Sequence, residues 1–453
     1  MHKVSQKYLE IFSYTSGDFN PIHLDEDFAK NSYFNGQIVY GIYQLFLTIE
    51  FFLKKNCKNT IKIKTIKSNF INPLFKNQKF RIIKKYQKNN VLKYEIIDKN
   101  QIFSKIEFEI ENETEIENIF LKHIKFKKNK PNNIKSLQNE NCSEELNYNK
   151  ELFKKLFPLC SMYLNSRNIA VLIASTRLIG MKIPGLDSIY SSLNLDFSEC
   201  DTNNKLLFNF KKHHNIECYM INILSPCKGS IKAFIRPQLI KNTTYSSLKV
   251  KYPNLQKTNF FVNQKALIIG ASSGFGNVCT KLLALGGATI IATYNSNYPR
   301  EVIPNCTFIP LDVLNVDKNF IDTIKKFNPT HIYYFATPKI SSQNSQFNKK
   351  ILYNFMQYYI FALDKILKYI NPTLIFTSSS SSFVDDLPLD MKEYSMAKAS
   401  MEVFIKYIEK TKNIQVIAPR FPRAKTNQTL NLIPQDLKEV DELLYPELLK
   451  IRS

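Results

Sequence analysis

The chain has 453 residues, which is enough for two or three domains that each bury a core of their own. Apolar residues make up 44% and charged residues 22%, as is ordinary for a soluble globular protein. The formal charge is +23, but lysines are spread through every region and no nucleic-acid-binding module is recognisable. We therefore expect no nucleic-acid partner. The excess charge is either a solvated basic surface or a surface that attracts an anionic ligand or carrier.

Membrane spans and metal sites are not expected either. No window approaches the roughly 18 apolar residues that a membrane helix needs, and the first residues lack the apolar core of a signal peptide. We therefore expect a cytoplasmic protein. The eight cysteines form no CxxC pair and show no metal-ligand spacing, which indicates scattered reduced thiols.

The first predicted domain spans residues 1–121 and has an α+β pattern. A short helix leads into a loop at 16–25, and a long apolar segment at 38–53 follows. Four strand-like runs come next, at 61–70, 80–86, 92–97 and 103–110. Residues 122–149 are polar, rich in Lys and Asn, and are predicted to be a linker.

Residues 150–240 repeat this order in a weaker form. An apolar helical run at 168–181 precedes strand-like runs at 188–197, 205–210, 217–223 and 229–235. A long helix followed by an antiparallel meander therefore occurs twice, which favours a pseudo-dimeric double domain.

The last predicted domain, 262–453, alternates strands and helices. Strand-like runs at 265–269, 289–293, 330–335 and 374–377 are separated by helical segments such as 276–285. This alternation predicts a doubly wound parallel sheet of the Rossmann type. Only 27 residues follow Thr426, so we expect a shortened C-terminal part.

The loop at 16–25 is the first candidate site. Pro21 fixes its own backbone and disfavours helix at Asn20, which gives a stiff turn able to hold Asp18 and His23 toward one point. A carboxylate and an imidazole supply the two proton-transfer groups that adding or removing water requires. The alternative is that the two side chains only cap the turn.

The run SGDFNPIHLDEDFAKNSYFNGQIVYGIYQLF closely resembles the MaoC-like (R)-specific enoyl-CoA hydratases, which have a hotdog fold. The resemblance implies that Asp18 and His23 are the catalytic pair and that the backbone N–H of Gly41 binds the thioester oxygen. Tyr40 stands where that family usually has histidine. Residues 169–197 resemble the helix, Pro-Gly turn and strand of a second hotdog without the Asp/His motif, which implies a double hotdog whose second half is non-catalytic and lines an acyl tunnel.

The second candidate site begins with a glycine-spaced turn between a predicted strand and a predicted helix. Gly270, Gly274 and Gly276 let the backbone turn and approach a pyrophosphate, whose charge a helix N-terminus favours. The alternative is that the glycines only form a tight turn and bind no pyrophosphate. Farther along, Tyr394 and Lys398 stand one helical turn apart, so the ammonium is expected to lower the pKa of the phenol and make it a proton donor.

Together these motifs resemble the short-chain dehydrogenase/reductase family. The resemblance implies that Tyr394, Lys398 and the helix residue Asn354 are catalytic, with Ser379 as the catalytic serine and Ser380 or Ser381 left open. The residues that it implies for cofactor binding are Gly270, Ser272, Ser273, Gly274, Phe275, Gly276, Asn295, Asp312, Tyr394 and Lys398. The segment 334–337 departs from the family's Asn-Asn-Ala-Gly. No acidic residue ends the strand before Asn295, which favours NADPH over NADH.

The two resemblances combine into one hypothesis. A reductase would make a 3-hydroxyacyl thioester from a 3-oxoacyl one, and a hydratase would interconvert it with the 2-enoyl form. The expected partners are acyl carrier protein or coenzyme A thioesters, in a homo-oligomer. Three alternatives remain open: a reductase of a sugar or other carbonyl with an acyl-binding hotdog module, a hydratase with an inactive reductase domain, and a non-enzymatic carrier-binding scaffold.

Overall fold

The structure is a computed structural model that describes residues 1–56, 60–99, 101–112, 124–132, 142–340 and 346–451. Its contacts divide the chain into two compact units. Unit 1 consists of Met1–Leu239 with Asn431–Gln435, and unit 2 of Ile240–Leu430 with Asp436–Ser453. Across the described residues, no helix combines the length and the apolar character that crossing a bilayer requires. The domain boundaries that the sequence suggests remain predictions.

Unit 1 contains two helix-plus-meander halves. Its helices are α1 (Gln6–Ser16), α2 (Pro21–Leu24), α3 (Glu26–Lys30), α4 (Gly41–Asn56), α5 (Lys150–Leu156), α6 (Pro158–Tyr163) and α7 (Ser166–Arg177), which continues into a π-helical turn, Leu178–Lys182. Its strands are β1 (Ile61–Phe70), β2 (Arg81–Lys88), β3 (Val91–Asp98), β4 (Gln101–Asn112), β5 (Cys142–Glu145), β6 (Ser188–Asp196), β7 (Lys205–Lys212), β8 (Cys218–Ser225) and β9 (Lys228–Ile235).

The strands of unit 1 form one antiparallel sheet in the order β2-β3-β4-β1-β6-β9-β8-β7-β5. The halves meet where β1 pairs with β6, from Thr65 opposite Asp196 to Asn69 opposite Ser192. The sequence therefore predicts the four strands of each half correctly, but β5 lies within the stretch predicted as a linker. The sequence carries no signal for this strand. The stretch around it is polar and rich in lysine, and within β5 only Glu144, at the third position, is buried.

A buried asparagine joins the two halves behind the sheet. Asn168 on α7 accepts a hydrogen bond from the Ile63 backbone N–H (2.9 Å) and donates one to the Ile63 carbonyl oxygen (3.3 Å). Ile63 pairs with Ile110 of β4, but the pairing of β1 with β6 begins only at Thr65, so Ile63 lies beyond the ladder on that side. The side chain of Asn168 therefore satisfies backbone groups that would otherwise be buried and unpaired.

Unit 2 alternates strands and helices as predicted. Its helices are α8 (Tyr245–Lys251), α9 (Pro253–Thr258), α10 (Gly274–Leu285), α11 (Lys318–Phe327), α12 (Lys349–Met356), α13 (Ala362–Ile366), α14 (Ser381–Val384), α15 (Lys392–Lys412) and α16 (Val440–Leu448), and a π-helical segment, Gln357–Phe361, joins α12 to α13. Its strands are β10 (Lys265–Ile269), β11 (Thr289–Tyr294), β12 (Cys306–Pro310), β13 (His331–Tyr334), β14 (Leu374–Thr377), β15 (Ser379–Ser380), β16 (Gln415–Ile417) and β17 (Arg420–Phe421).

The main sheet of unit 2 is parallel, in the order β12-β11-β10-β13-β14-β16, and β15 pairs with β17 beyond it. The order reverses beside β10, which makes the space after β10 the point where doubly wound sheets bind ligands. Separate apolar cores cover the two faces: one includes α10 and α16, the other α11, α12 and α15. This Rossmann-like architecture agrees with the sequence prediction.

We predict that Asn168→Ala destabilises unit 1. The substitution leaves the Ile63 amide and carbonyl buried without partners, so the free energy of unfolding should fall by about 1–3 kcal/mol. Chemical denaturation followed by circular dichroism measures this. Asn194→Ala, at an exposed position of β6, is the matched control and should change the free energy little. Equal effects of the two substitutions would show that Asn168 does not hold the halves together.

Candidate active sites

A cavity of about 290 Å³ in unit 1 brings together the residues of the first predicted site. Asp18, His23 and Gly41 all line it. Its walls are largely apolar and come from both halves of the unit and from the returning segment at 431–435; they include Ile22, Val39, Phe70, Leu74, Ile179, Ile189, Tyr190, Phe234 and Leu432. A cavity lined by apolar side chains together with polar groups is a common form of small-molecule site.

Local sequence fixes the loop that carries the two polar side chains. Helix α1 ends because Gly17 takes a left-handed conformation (φ +77°) and donates its N–H to the Ser13 carbonyl oxygen (2.7 Å). Helix α2 then starts at Pro21, with the Asn20 side chain accepting from the Ile22 N–H (3.2 Å). Asp18 therefore precedes one helix start, and His23 lies within the short helix that follows.

The carboxylate of Asp18 is almost completely buried, and both halves of unit 1 surround it. Its Oδ2 accepts from the Thr176 hydroxyl (2.8 Å), and its Oδ1 accepts from the Asn20 N–H (3.2 Å). Gly180 lies so close that a Cβ placed there would be 2.2 Å from Oδ1. Burial raises the pKa of Asp18 to about 7, although the Thr176 hydrogen bond opposes the shift.

The imidazole of His23 is held in one orientation. Its Nδ1 lies 2.8 Å from the Ile38 carbonyl oxygen, which can only accept, so Nδ1 carries the proton and Nε2 keeps its lone pair. The ring of Tyr40 stacks on it at 3.7 Å between centroids, and the Tyr40 hydroxyl donates to the Asp18 carbonyl oxygen (2.9 Å). Burial lowers the pKa of His23 to about 3, and the nearby charge of Arg236 adds to this effect.

Gly41 is the first residue of α4, where backbone N–H groups have no partner within the helix. A Cβ at this position would lie 2.7 Å from the ring of Phe70, so a larger residue would have to displace that ring. The amide of Gly41 is thus a hydrogen-bond donor at the edge of the cavity that holds Asp18 and His23.

Several residues that position Asp18 were not identified from the sequence. Asn20 donates to the carbonyl oxygens of Gly180 (3.0 Å) and Gly185 (2.9 Å), and Arg177 donates to the Ser16 carbonyl oxygen (2.7 Å). Thr176 and Gly180 belong to the second half, about 160 residues from Asp18. A glycine within the apolar run at 168–181 was the one available signal, because glycine weakens a helix unless a close approach requires it.

The glycine-spaced turn of unit 2 lies directly between β10 and α10. Gly270 has φ +87°, and a Cβ on Gly276 would lie 2.2 Å from the Gly270 carbonyl oxygen, so the turn is too tight for other residues. Ser273 precedes α10 without capping it through its side chain. A Cβ at Gly274 would meet only Thr426 (3.8 Å), which leaves open space before the first N–H groups of the helix. These features fit the pyrophosphate of a dinucleotide.

The other predicted cofactor residues follow neighbouring strands. Ser272 is half-buried and Phe275 stacks on Phe421 at 4.9 Å. Asn295 follows β11 and is exposed. Asp312 follows β12, and its carboxylate accepts from the Leu314 N–H (3.0 Å) and the Asn315 side chain (2.7 Å). Their roles in cofactor binding remain predictions.

Tyr394 and Lys398 lie together on the buried face of α15. The Lys398 Nζ is 5.9 Å from the centroid of the Tyr394 ring and donates to the Ser378 carbonyl oxygen (2.9 Å). Burial raises the pKa of Tyr394 and lowers that of Lys398 to about 8. The expectation that Lys398 lowers the pKa of Tyr394 is therefore wrong for the protein without cofactor, because desolvation of the phenol dominates.

The predicted catalytic serine, Ser379, and the predicted catalytic asparagine, Asn354, lie in different surroundings. The hydroxyl of Ser379 donates to Glu402, whose carboxylate pairs with Arg420 (2.6 Å). The side chains of Ser380 and Ser381 lie outside the described side chains. Asn354 is exposed on α12, and the residues that contact the Tyr394 ring from this region are Phe355 and Tyr359, with centroids at 5.4 and 6.1 Å. Tyr359 carries no sequence signal and was missed.

Two parts of the chain match known families. Residues 2–104 match the MaoC like domain, and residues 266–424 match the NAD dependent epimerase/dehydratase family. The chain is therefore an enzyme with one region similar to the MaoC like domain and another similar to the NAD dependent epimerase/dehydratase family, a family that uses a nicotinamide cofactor. No curated protein matches the chain. No group of three or more metal-ligating side chains occurs within the described ranges.

Solved structures similar to part of the chain include a short chain dehydrogenase, a reductase and an oxidoreductase. A short chain dehydrogenase from Salmonella enterica serovar Typhi is 16% identical, with 42% of this chain and 90% of that chain covered and a TM-score of 0.37. A 3-oxoacyl (acyl-carrier-protein) reductase from Agrobacterium tumefaciens, solved with NADP bound, is 13% identical, with 44% and 91% covered and a TM-score of 0.37. An oxidoreductase from E. coli is 16% identical, with 42% and 90% covered and a TM-score of 0.36.

We predict that the stability of unit 1 reports the protonation of Asp18. Because its folded pKa (about 7) exceeds the ordinary value of 3.8, its stabilising contribution is complete below pH 4 and is lost as the pH rises through 7. Between pH 5 and 8, wild type should therefore lose about 2–3 kcal/mol relative to Asp18→Asn, with no further change above pH 8.

Denaturant unfolding at several pH values measures this difference. Asp196→Asn is the control, because Asp196 is exposed and its pKa is lowered, so it stays ionised across this range. A difference between wild type and Asp18→Asn that is constant from pH 5 to 8 would contradict the prediction.

Proposed function

We propose that the chain is a bifunctional acyl-thioester enzyme. Unit 1 interconverts 2-enoyl and (R)-3-hydroxyacyl thioesters by adding or removing water, and unit 2 reduces 3-oxoacyl thioesters to 3-hydroxyacyl thioesters with NADPH. The observation that carries the proposal is the apolar cavity in which Asp18, His23 and the amide of Gly41 meet. The two reactions change neighbouring carbons of the same acyl chain, which gives their fusion a chemical purpose.

The proposal includes a double hotdog fold for unit 1. Each half has a helix, α4 or α7, and a meander of four antiparallel strands. Strand β5 pairs with β7 at the edge of the second half, and the halves join edge to edge through β1 and β6. The first half supplies Asp18, His23 and Gly41. The second half supplies cavity wall and the groups that surround the Asp18 carboxylate, but no acid/base pair of its own.

The two side chains are suited to opposite proton transfers. In hydration, the free Nε2 of His23 takes a proton from water as its oxygen bonds to C3 of the enoyl group, and protonated Asp18 gives a proton to C2. His23 then returns its proton to Asp18, so the net change is one water added. Dehydration runs these transfers backwards. The raised pKa of Asp18 keeps a large fraction of it protonated near neutral pH, and the lowered pKa of His23 keeps it neutral.

Gly41 and the cavity supply the remaining requirements. Negative charge develops on the thioester oxygen when C2 loses or gains its proton, and a fixed amide donor in an apolar site stabilises this charge strongly. The amide of Gly41, at the start of α4, is that donor. The apolar walls accommodate the hydrocarbon part of the acyl group.

Unit 2 supplies the residues for carbonyl reduction. When bound, NADPH supplies a hydride; its pyrophosphate would lie against Gly270, Gly274 and Gly276 at the start of α10. Asn295, in place of an acidic residue, does not repel a 2′-phosphate, which supports NADPH over NADH. Tyr394 gives the proton to the carbonyl oxygen, and Lys398 is the adjacent ammonium. An acyl carrier protein or coenzyme A carries the substrate, and the formal charge of +23 favours such anionic carriers.

The proposal is tested by measuring both reactions in the same two variants. Asp18→Asn should lower hydration of a 2-enoyl thioester at least 100-fold, because acid/base catalysis contributes about 10²–10⁴-fold, while NADPH-dependent reduction of a 3-oxoacyl thioester is unchanged. Tyr394→Phe should lower NADPH-dependent reduction and leave hydration unchanged. Hydration is followed by the loss of enoyl-thioester absorbance, and reduction by NADPH oxidation.

Each variant serves as the control for the other. If hydration persists but neither the wild type nor any variant oxidises NADPH, the chain would be a hydratase without reductase activity. Joint loss of both reactions in either variant would indicate a folding defect and not two independent sites.

A further inference from the structure

Strand β5 carries a buried charge. The side chain of Glu144 is 5% exposed, and its carboxylate meets two cations. Its Oε1 lies 2.6 Å from the Nε of Arg177, and its Oε2 lies 2.6 Å from the Nζ of Lys182. The side chain of Arg177 is 8% exposed, whereas that of Lys182 is 46% exposed. Glu144 and Arg177 therefore form a buried ion pair.

The rest of the Arg177 guanidinium binds backbone oxygens. Its Nη1 donates to the carbonyl oxygens of Ser16 (2.7 Å) and Asn147 (3.1 Å), and its Nη2 donates to that of Glu145. The ring of Phe126 lies over it, with the centroid 5.0 Å from Cζ. Because a guanidinium does not lose its proton in proteins, a positive charge is fixed at this nearly buried position.

This charge lies beside the loop that carries Asp18. A Cβ on Gly17 would lie 3.0 Å from the Cδ of Arg177, so the arginine side chain packs against the residue next to Asp18. The preceding residue of α7, Thr176, donates directly to the Asp18 carboxylate (2.8 Å). The end of α7 therefore brings a hydroxyl to the carboxylate and a cation to the backbone just before it.

An uncompensated cation at this position would oppose the function of an acid. A positive charge near a carboxyl group favours its ionised form, and water screens this effect only weakly at a buried site. Burial raises the pKa of Asp18, and the charge of Arg177 is one of the influences that lower it. Glu144 places a negative charge against the guanidinium, so the field of the pair at Asp18 is smaller than that of Arg177 alone.

We propose that Glu144 is a positioning residue of the hydratase site, which holds Arg177 against the Asp18 loop and offsets its charge, so that Asp18 keeps the proton that it gives to C2. The catalytic part of this inference rests on the proposed hydration reaction, whereas the electrostatic part does not. Glu144 is not among the residues that line the cavity, and it acts through Arg177.

The other ionisable groups that face this site come from the same loop, from α4 and from the end of β9. Burial lowers the pKa of His23 to about 3 and raises that of the Tyr40 phenol well above its ordinary value, so neither titrates between pH 5 and 8. Arg236 follows β9, pairs with Asp187 (3.1 Å) and adds its charge to the field at His23. A titration in this range therefore reports Asp18.

The test follows the Asp18 carboxyl group without turnover. In the full-length protein labelled with ¹³C at the aspartate carboxyl groups, Asp18→Asn identifies the Asp18 signal, and its shift against pH gives the pKa. Glu144→Gln keeps the size of the side chain and removes its charge, so the pKa of Asp18 should fall by about one unit.

The same variant should change the pH profile of 2-enoyl thioester hydration. At pH 8 the protonated fraction of Asp18 falls about tenfold, and hydration should fall with it. At pH 5 Asp18 is protonated in both proteins, so hydration should stay within about twofold of wild type. Loss of hydration by one factor at both pH values, with an unchanged pKa, would show a structural role only and would overturn the inference.

Glu145→Gln is the matched control. It removes the same charge from the next position of β5, where the side chain is 59% exposed and pairs with Lys205 (3.0 Å). It also leaves the backbone carbonyl that Arg177 binds. Neither the pKa of Asp18 nor the pH profile of hydration should change.

A double variant keeps the test decisive if Glu144→Gln alone does not fold, as circular dichroism would show. Glu144→Gln combined with Arg177→Gln removes both charges and should return the pKa of Asp18 to the wild-type value or above it. A pKa below the wild-type value in the double variant would overturn the inference. A lowered pKa in Glu144→Gln, together with no hydration by wild type, would support the counter-charge and refute the proposed reaction instead.

Discussion

The burial of one carboxylate constrains the construction of unit 1. An acidic group in an apolar cavity is costly unless polar partners surround it. Asp18 obtains its partners from both halves: the Asn20 amide comes from its own loop, and the Thr176 hydroxyl comes from α7. Gly180 lets the π-helical turn approach the carboxylate to a distance that no larger residue allows. The second half, which has no acid/base pair, is therefore part of the site that the first half carries.

The same physical effect shifts the pKa values of the candidate acid and base residues in both sites. Burial favours the neutral form of every group, so it raises the pKa of Asp18 and lowers that of His23, which leaves a proton donor and a proton acceptor together near neutral pH. In unit 2, burial raises the pKa of Tyr394 and lowers that of Lys398. In both sites, burial therefore shifts each pKa in the direction that favours the uncharged form.

The sequence predicts much of the architecture, because periodic apolar runs and turn residues are local signals. The strands of both halves, the alternating order of unit 2, the loop with Asp18 and His23, and the glycine turn at Gly270 were all identified this way. Contacts between distant segments were not. Thr176 reaches Asp18 across 158 residues, and the ring of Tyr359, in the π-helical segment, lies 4.2 Å from the Lys398 Nζ. Residue spacing also could not show that desolvation outweighs the ammonium in setting the pKa of Tyr394, or that Asn354 is exposed.

The dependence of the Asp18 site on the second half is tested most directly by Gly180→Ala. A Cβ there would lie within 2.5 Å of three atoms of the Asp18 carboxyl group, so we expect loss of enoyl-thioester hydration while NADPH-dependent reduction and the circular dichroism spectrum are retained. Gly36→Ala, whose Cβ would approach the Phe75 ring to 3.3 Å, is the control and should keep hydration. Hydration at the wild-type rate in Gly180→Ala would contradict the account, because the second half would then not shape the site.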